Sequence, residues 1–224
     1  MSRVEEDLIE AFEEMGAILR GETKAEESYE INFSKVIGLK GKIGAGKSTA
    51  AEYFVERGYK LIKFADPIKD MLRELGLTNY ELEGPLKDIP CNFLCGVTPR
   101  HAMQMLGTDW GRDLIHTDVW VNLWCLEAAK HPLVVVDDCR FLNEARAIRA
   151  RGGVVIEIRR PAFPGASSAH ISEVQDWQAD MRVLNEGFRK DILFARIEGA
   201  LEIWLEERGH DKREGSHIPK QIRA

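Results

Sequence analysis

The sequence predicts an α/β fold in three layers, a parallel sheet with helices on both faces. Three observations carry this. Short apolar runs alternate with longer segments of helical period, as strand–helix–strand units do. The stretch Gly41-Lys42-Ile43-Gly44-Ala45-Gly46-Lys47-Ser48 fits the pattern G-x-x-x-x-G-K-[ST] and lies between a strand candidate and a helix candidate. The run Leu133-Val134-Val135-Val136, bounded by His131-Pro132 and Asp137, is apolar throughout, the composition of a strand covered on both sides.

The elements follow in order. Val4, Leu8, Phe12, Met15 and Leu19 recur every three or four residues, so an amphipathic helix opens the chain. Gly21 to Ser34 is a polar linker. Packing of the opening helix onto its own or a sister chain would cover its apolar stripe, and a homodimer is one expectation. Val36-Ile37-Gly38-Leu39 is the first strand. A helix runs from Lys47 to about Arg57 and stops at Gly58. Lys60 to Phe64 is the second strand, and a helix over Ile68 to Leu75 follows Pro67. Residues 76–97 mix Gly, Pro and Asn with weak periodicity and read as a variable loop. Thr98-Pro99, an N-cap and a first-turn proline, start a helix through Leu106. Asp118 caps another that runs to Ala129.

After the strand at Leu133–Val136, Asn143 to Arg151 is helical and ends at Gly152-Gly153. Val154 to Ile158 is a strand. Residues 161–180 hold two prolines with small and polar residues, as a mobile loop or lid would. Met181 to Leu184 is the last strand. Asp191 to Glu207 is the closing helix, with Ile192, Leu193, Ile197, Leu201 and Trp204 inward. The tail from Arg208 is polar.

Composition narrows the function classes. The chain has 224 residues, 44% hydrophobic and 30% charged, which suits one α/β domain with insertions. No run of about 18 apolar residues occurs, so no membrane span is expected. The acidic start lacks a signal-peptide pattern, which leaves the cytoplasm as the default location. Residues 1–35 hold ten acids against four bases and so carry the whole net charge of -6. The neutral remainder offers no broad field for gripping a nucleic acid polymer. Cys91, Cys95, Cys125 and Cys139 are scattered and read as reduced thiols, not as a zinc site.

The glycine-rich stretch is a phosphate cradle. Gly41, Gly44 and Gly46 let the loop wrap so that the N–H groups of Lys42, Ala45, Lys47, Ser48 and Thr49 can converge on phosphate oxygens. Lys47 adds a cation near the β- and γ-phosphates, Ser48 offers a hydroxyl to Mg2+, and the helix N-terminus favours the same anion. Mg2+ with ATP is the implied cofactor. Asp137 and Asp138 end the buried strand beside the cradle, and one of them should reach the metal while the other caps the next loop.

Further polar residues gather where strands end, which is where open α/β sheets bind ligands. Asp66 and Lys69 lie in Phe64-Ala65-Asp66-Pro67-Ile68-Lys69-Asp70. Arg100, Gln104, Thr108, Arg112 and Trp120 lie in the middle segment, and Asp138-Cys139-Arg140-Phe141-x-Asn143-Glu144 follows the buried strand. Trp110, Trp120 and Trp124 read first as core aromatics and second as a stacking surface for a base.

The cradle, Phe64–Asp70, Met103-Gln104-x-Leu106-Gly107-Thr108-Asp109, Asp138-x-Arg140, Arg159-Arg160-Pro161 and His170-x-Ser172-Glu173 occur in this order. In this the chain resembles the bacteriophage deoxynucleoside monophosphate kinases, over roughly residues 35–205. The resemblance implies a three-layer P-loop kinase fold with an acceptor-binding insertion and a lid. It divides the chain into an opening helix and linker (1–34), a kinase domain (35–207, with acceptor region 66–130 and lid 159–180) and a tail (208–224). Residues 1–34 and the tail are extra to the family's pattern.

The implied activity is transfer of the ATP γ-phosphoryl group to a (deoxy)nucleoside monophosphate, and a phage origin would place it in host cytoplasm. Asp66, Lys69, Arg100, Gln104, Thr108, Arg112, Trp120 and Asp138 would form the acceptor site. Arg140 would hold phosphate or help close the site, and Arg159 or Arg160 would reach the transferring group from the lid, beside Lys47. Catalysis of this kind needs alignment and neutralised charge more than a base. Two alternatives stand beside it: a kinase for another small acceptor, such as dephospho-coenzyme A, and a nucleotide-sensing regulatory ATPase.

Overall fold

The computed structural model describes residues 35–161, 177–187 and 189–214. The expected opening helix, residues 162–176 of the lid and the end of the tail lie outside these residues. Among those described, five strands stand in the order β2-β3-β1-β4-β5, each pair parallel. They are β1 (Val36–Lys40), β2 (Lys60–Leu61), β3 (Val134–Val136), β4 (Val154–Arg159) and β5 (Met181–Leu184). The α-helices are α1 (Lys47–Val55), α2 (Asp66–Glu74), α3 (Asn79–Leu82), α4 (Pro99–Gln104), α5 (Val119–Ala128), α6 (Leu142–Ala150) and α7 (Lys190–Glu214).

Strand side chains alternate between two cores, as a period of two requires. Ile37 and Leu39 of β1, Val135 of β3, and Val154, Ile156 and Ile158 of β4 meet Tyr53 and Phe54 of α1 and Leu193, Ile197 and Leu201 of α7. Their neighbours Val36, Val134, Val136 and Val155 face the other way, onto Val121, Trp124 and Ala128 of α5 and Ala145 and Ile148 of α6. The helices that follow the adjacent strands β1 and β3 therefore cover opposite faces. A crevice opens beyond the carboxyl ends of those two strands, which is where this architecture binds ligands. No described helix is long and apolar enough to cross a membrane.

The structure departs from the sequence reading in five places. The second strand is two residues long, because the carboxylate of Asp138 accepts the N–H groups of Phe64 and Ala65 (3.0 Å each) and turns the chain away from the ladder. Residues 76–97 are not plain loop. They hold α3, whose Thr78 is capped by Glu81 through N–H and hydroxyl bonds of 2.8 and 2.7 Å, and 3-10 turns at Pro85–Asp88 and Asn92–Leu94. Single turns are too short to leave a period in the sequence.

The helix expected to end at Leu106 continues as a π-helix over Met105–Ile115. Gly107 and Gly111 look like stops but serve Trp120. Its indole N–H donates to the Gly107 carbonyl at 2.6 Å, and a Cβ at Gly111 would stand 2.4 Å from the indole ring. A π-helix also loses the 3.6-residue period that announces a helix. In α7, Ile192 is exposed while Leu193, Ile197 and Leu201 are buried and Trp204 packs at the core's edge. That helix begins at Lys190 and runs past 207 to Glu214.

Candidate active site

The cradle is built where β1 stops. Gly46 takes the left-handed conformation (φ 100°) and caps α1 without a side-chain bond to the first-turn N–H groups. Only glycine fits there, since a Cβ would lie 2.2 Å from Nδ2 of Asn185. That amide donates to the Ala45 carbonyl at 2.8 Å and accepts the Gly187 N–H at 2.9 Å, so the loop after β5 braces the cradle from behind. Lys47 Nζ donates to the carbonyls of Gly41 (2.7 Å) and Lys42 (3.0 Å). Ser48 Oγ donates to Asp137 Oδ2 at 3.1 Å, and Lys63 Nζ stands 3.3 Å from Asp137 Oδ1. Burial pulls the Lys63 ammonium down, but Asp137, Glu83 and Asp138 outweigh it and its pKa lies above the ordinary lysine value.

The two adjacent aspartates thus face different tasks. Asp137 looks toward Ser48 and Lys63. Asp138 spends both oxygens on the backbone after β2, and burial, with the Asp137 charge beside it, raises its pKa.

A cavity of about 380 Å3 begins at the cradle and runs under the middle segment. Lys47, Ser48 and Asp137 line one end, and Lys69, Arg100, Gln104, Thr108, Arg112 and Trp120 line the rest, with Asp138 and Arg140 between them. These predicted residues come together although they span more than ninety positions. Seven cations border the cavity (Lys47, Lys63, Lys69, Lys87, Arg100, Arg112, Arg140) against four carboxylates (Glu83, Asp137, Asp138, Glu144). The surplus suits an anionic ligand.

Most of these cations are held by an acid. Lys69 pairs with Glu83 at 2.5 Å. Arg100 forks onto Asp88, with Nη2 3.0 Å from Oδ2. Arg112 is buried, 2.5 Å from Glu144 Oε1, stacked on Phe141 with its guanidinium carbon 4.0 Å from the ring centre, and bonded to the Thr117 carbonyl. Glu144 Oε2 accepts the N–H of Arg140 (2.6 Å) and of Phe141 (3.0 Å). Burial nevertheless pushes the Glu144 pKa up to about 7, with Arg112 opposing and the nearby Asp138 adding to the rise. Lys87 is pushed below its ordinary value by burial and by the charge of Arg100.

Eight predicted residues do not line this cavity, among them Gly41, Lys42, Ala45 and Gly46 of the cradle itself. Asp66 does not line the cavity; its carboxylate accepts the Lys63 N–H at 2.8 Å at the start of α2. Thr49 lines neither described cavity. Arg159 and Arg160 border a second cavity, of about 410 Å3, with Gly41, Lys42, Ile43, Ala45 and Leu184, and Ile43 alone is common to both. Arg159 pairs with Glu157 at 3.1 Å. The Arg160 guanidinium lies against Gly187, where a Cβ would be 2.3 Å from its Nη2.

Sequence reasoning missed Lys63, Glu83, Lys87 and Asn185, and gave Glu144 no role although it lies in the polar stretch after the buried strand. Glu144 had a further signal, an acid three residues after Phe141 at a helix start. Lys87 and Glu83 had none, since a lone charge in a loop reads as surface, and Lys63 was masked by the strand expected over Lys60 to Phe64.

A model of the deoxynucleotide monophosphate kinase family matches residues 90–193. A protein of Acanthamoeba polyphaga mimivirus described as a "Putative deoxynucleotide monophosphate kinase" is 37% identical over 157 residues, 62% of this chain and 81% of that protein. The chain belongs to the deoxynucleotide monophosphate kinase family. As a member, it is an ATP-dependent P-loop kinase that transfers phosphate to a small nucleotide. Among solved structures it is similar to TT1252 from Thermus thermophilus (20% identical, 78% of this chain and 98% of that one, TM-score 0.44). It is also similar to shikimate kinase from Aquifex aeolicus vf5 (14%, 75% and 96%, TM-score 0.41). Likenesses that loose decide nothing about substrate or mechanism. The family's acceptor chemistry therefore has to be sought in this chain's own cavity.

Proposed function

We propose that the first cavity seats a deoxynucleoside monophosphate and presents its phosphate to the γ-phosphoryl group of ATP held on the cradle. The observation that carries this is continuity. One cavity is bordered by Lys47 and Ser48 at one end and by Arg100, Gln104 and Thr108 at the other, with a surplus of cations between. In the reaction an oxygen of the acceptor phosphate forms a bond to the γ-phosphorus as the bond to the ADP oxygen breaks. The nucleophile is already an anion, so no side chain must take a proton. What is required is alignment and charge neutralisation.

Lys47 and Arg140 border the place where both phosphates would meet, and they are the catalytic cations in this reading. Arg100 and Lys87 would hold the acceptor phosphate, with Gln104 and Thr108 facing its sugar and base. Ser48 and Asp137, hard oxygen donors bonded to each other at 3.1 Å, fit a Mg2+ ion. Held there, Mg2+ would supply positive charge against the ATP phosphates. Asp138, Asp66 and Trp120 act through the backbone they hold. Arg159 and Arg160, in the second cavity with the far side of the cradle, would meet the nucleoside end of ATP and not the moving phosphoryl group.

A panel of deoxy- and ribonucleoside monophosphates incubated with Mg-ATP tests the reading. Diphosphate product from at least one deoxynucleotide is expected. ATP hydrolysis with no phosphorylated acceptor in the whole panel would overturn it in favour of an ATPase.

A further inference from the structure

Arg140 is half-buried in an irregular stretch between β3 and α6, with neither a strand nor a helix to hold it. A cation that must meet a moving phosphoryl group cannot wander, because a displacement of about 1 Å can cost on the order of a hundredfold in rate. Its backbone is fixed on both sides by side chains, one from the next helix and one 37 residues on. The Arg140 N–H donates to Glu144 Oε2 at 2.6 Å. The Arg140 carbonyl accepts the indole N–H of Trp177 at 2.9 Å.

Trp177 is itself anchored to the cradle strand. Its main-chain carbonyl accepts from Lys40 Nζ, and the same ammonium lies 4.1 Å from the centre of its ring. Lys40 is the buried last residue of β1, next to Gly41 where the cradle begins. One side chain therefore joins the root of the ATP cradle to the carbonyl of Arg140. Tryptophan suits the task, because it alone offers both a large π face for a cation and a ring N–H donor at its far edge.

We propose that Trp177 is a positioning residue for catalysis, setting Arg140 relative to the cradle through its indole N–H. The inference rests on the reading of Arg140 as a catalytic cation. A purely packing role is the competing account, since Trp177 also touches the core that contains Trp124 and Ile148. The N–H and the packing can be separated. Trp177→Phe keeps a ring for Lys40 and for the core while removing the donor, with some loss of volume. Trp177→His returns a ring N–H on a smaller body.

The experiment is a double-mutant cycle on kcat with Trp177→Phe and Arg140→Met, using the full chain and the monophosphate turned over best. Trp177→Phe should lower kcat about tenfold with KM for ATP nearly unchanged. In the Arg140→Met background the same change should have no further effect. Trp177→His should recover part of the lost rate. Losses that multiply in the double variant would overturn the inference while leaving Arg140 as a catalytic cation. So would a His variant no faster than the Phe variant. Full activity in Arg140→Met alone would instead remove the reading of Arg140 and this inference with it.

Discussion

In the proposed reading, the two ends of the cavity grip phosphate by different means. At the cradle the donors are backbone N–H groups of consecutive residues, shaped by Gly46 and braced by Asn185. Such donors carry no net charge, so nothing must balance them when no phosphate is present. At the acceptor end the grip comes from side chains on separate elements: Lys69 on α2, Lys87 on a 3-10 turn, Arg100 on α4, Arg112 on the π-helix. These cations repel one another, and the fold answers by assigning acids to them: Glu83, Asp88 and Glu144. The cradle is a property of local backbone, and the acceptor end is a property of tertiary charge pairing. Substitutions at the first should act on transfer, and those at the second on acceptor affinity and pH dependence.

The sharpest way to break that division is Lys47→Ala. Lys47 donates to the Gly41 and Lys42 carbonyls of the cradle, and in the proposed reading its loss removes one donor aimed at developing charge. A fall in kcat of about 10²–10³-fold is expected, with circular dichroism and thermal unfolding close to the parent's. A variant that keeps full rate would end the argument for the cradle. One that unfolds would show that Lys47 holds the loop together and does not act on phosphate.

Arg100→Ala addresses the other end. A charge-assisted bond to the acceptor phosphate is worth about 1.5–3 kcal/mol, so acceptor KM should rise on the order of tenfold or more while KM for ATP stays level. Its partner Asp88 is largely exposed, and breaking an exposed pair should cost about 0–1 kcal/mol of stability. Equal increases in both KM values would mean that the two ends are not separate sites.

The same division explains what the sequence could say. The cradle, its strand and its helix were legible because their signal is local: glycines at fixed offsets between two periodic segments. The buried strand before Asp137 was legible from composition alone. Arg100, Gln104 and Arg112 were reached by resemblance, and the structure brings them to one cavity. Their surroundings were hidden. Gly107 and Gly111 imitate a helix end, whereas in a π-helix Gly111 makes room for Trp120 and the Gly107 carbonyl accepts its indole N–H. The roles of Asp137 and Asp138 differ through which neighbour each carboxylate meets, Ser48 or the backbone after β2, and adjacent identical residues cannot announce that. Arg159 and Arg160 look like the natural partners of a transferring phosphate, yet β4 carries them to the second cavity.

Glu144 offers the smallest and most discriminating effect, because its carboxylate takes part in the charge pairing of the acceptor end through Arg112. Its pKa in the folded chain, about 7, lies above the ordinary glutamate value of 4.5. The folded state therefore binds a proton more tightly than the unfolded one between those limits. The stability this group contributes is complete below about 4.5 and is lost as pH rises through about 7. The causes act in opposition: burial and the charge of Asp138 favour the protonated acid, while Arg112 and the N–H groups of Arg140 and Phe141 favour the carboxylate. Glu144→Gln keeps the shape and removes the titration. The difference in melting temperature between parent and Glu144→Gln should shift against the parent by a few degrees from pH 5.5 to pH 8. The difference isolates this site, since Asp138 and Asp66, also raised by burial, titrate in both proteins. A difference flat across that range would mean that the Arg112 ion pair keeps Glu144 ionised throughout, and the acceptor end would then be as indifferent to pH in this window as the cradle.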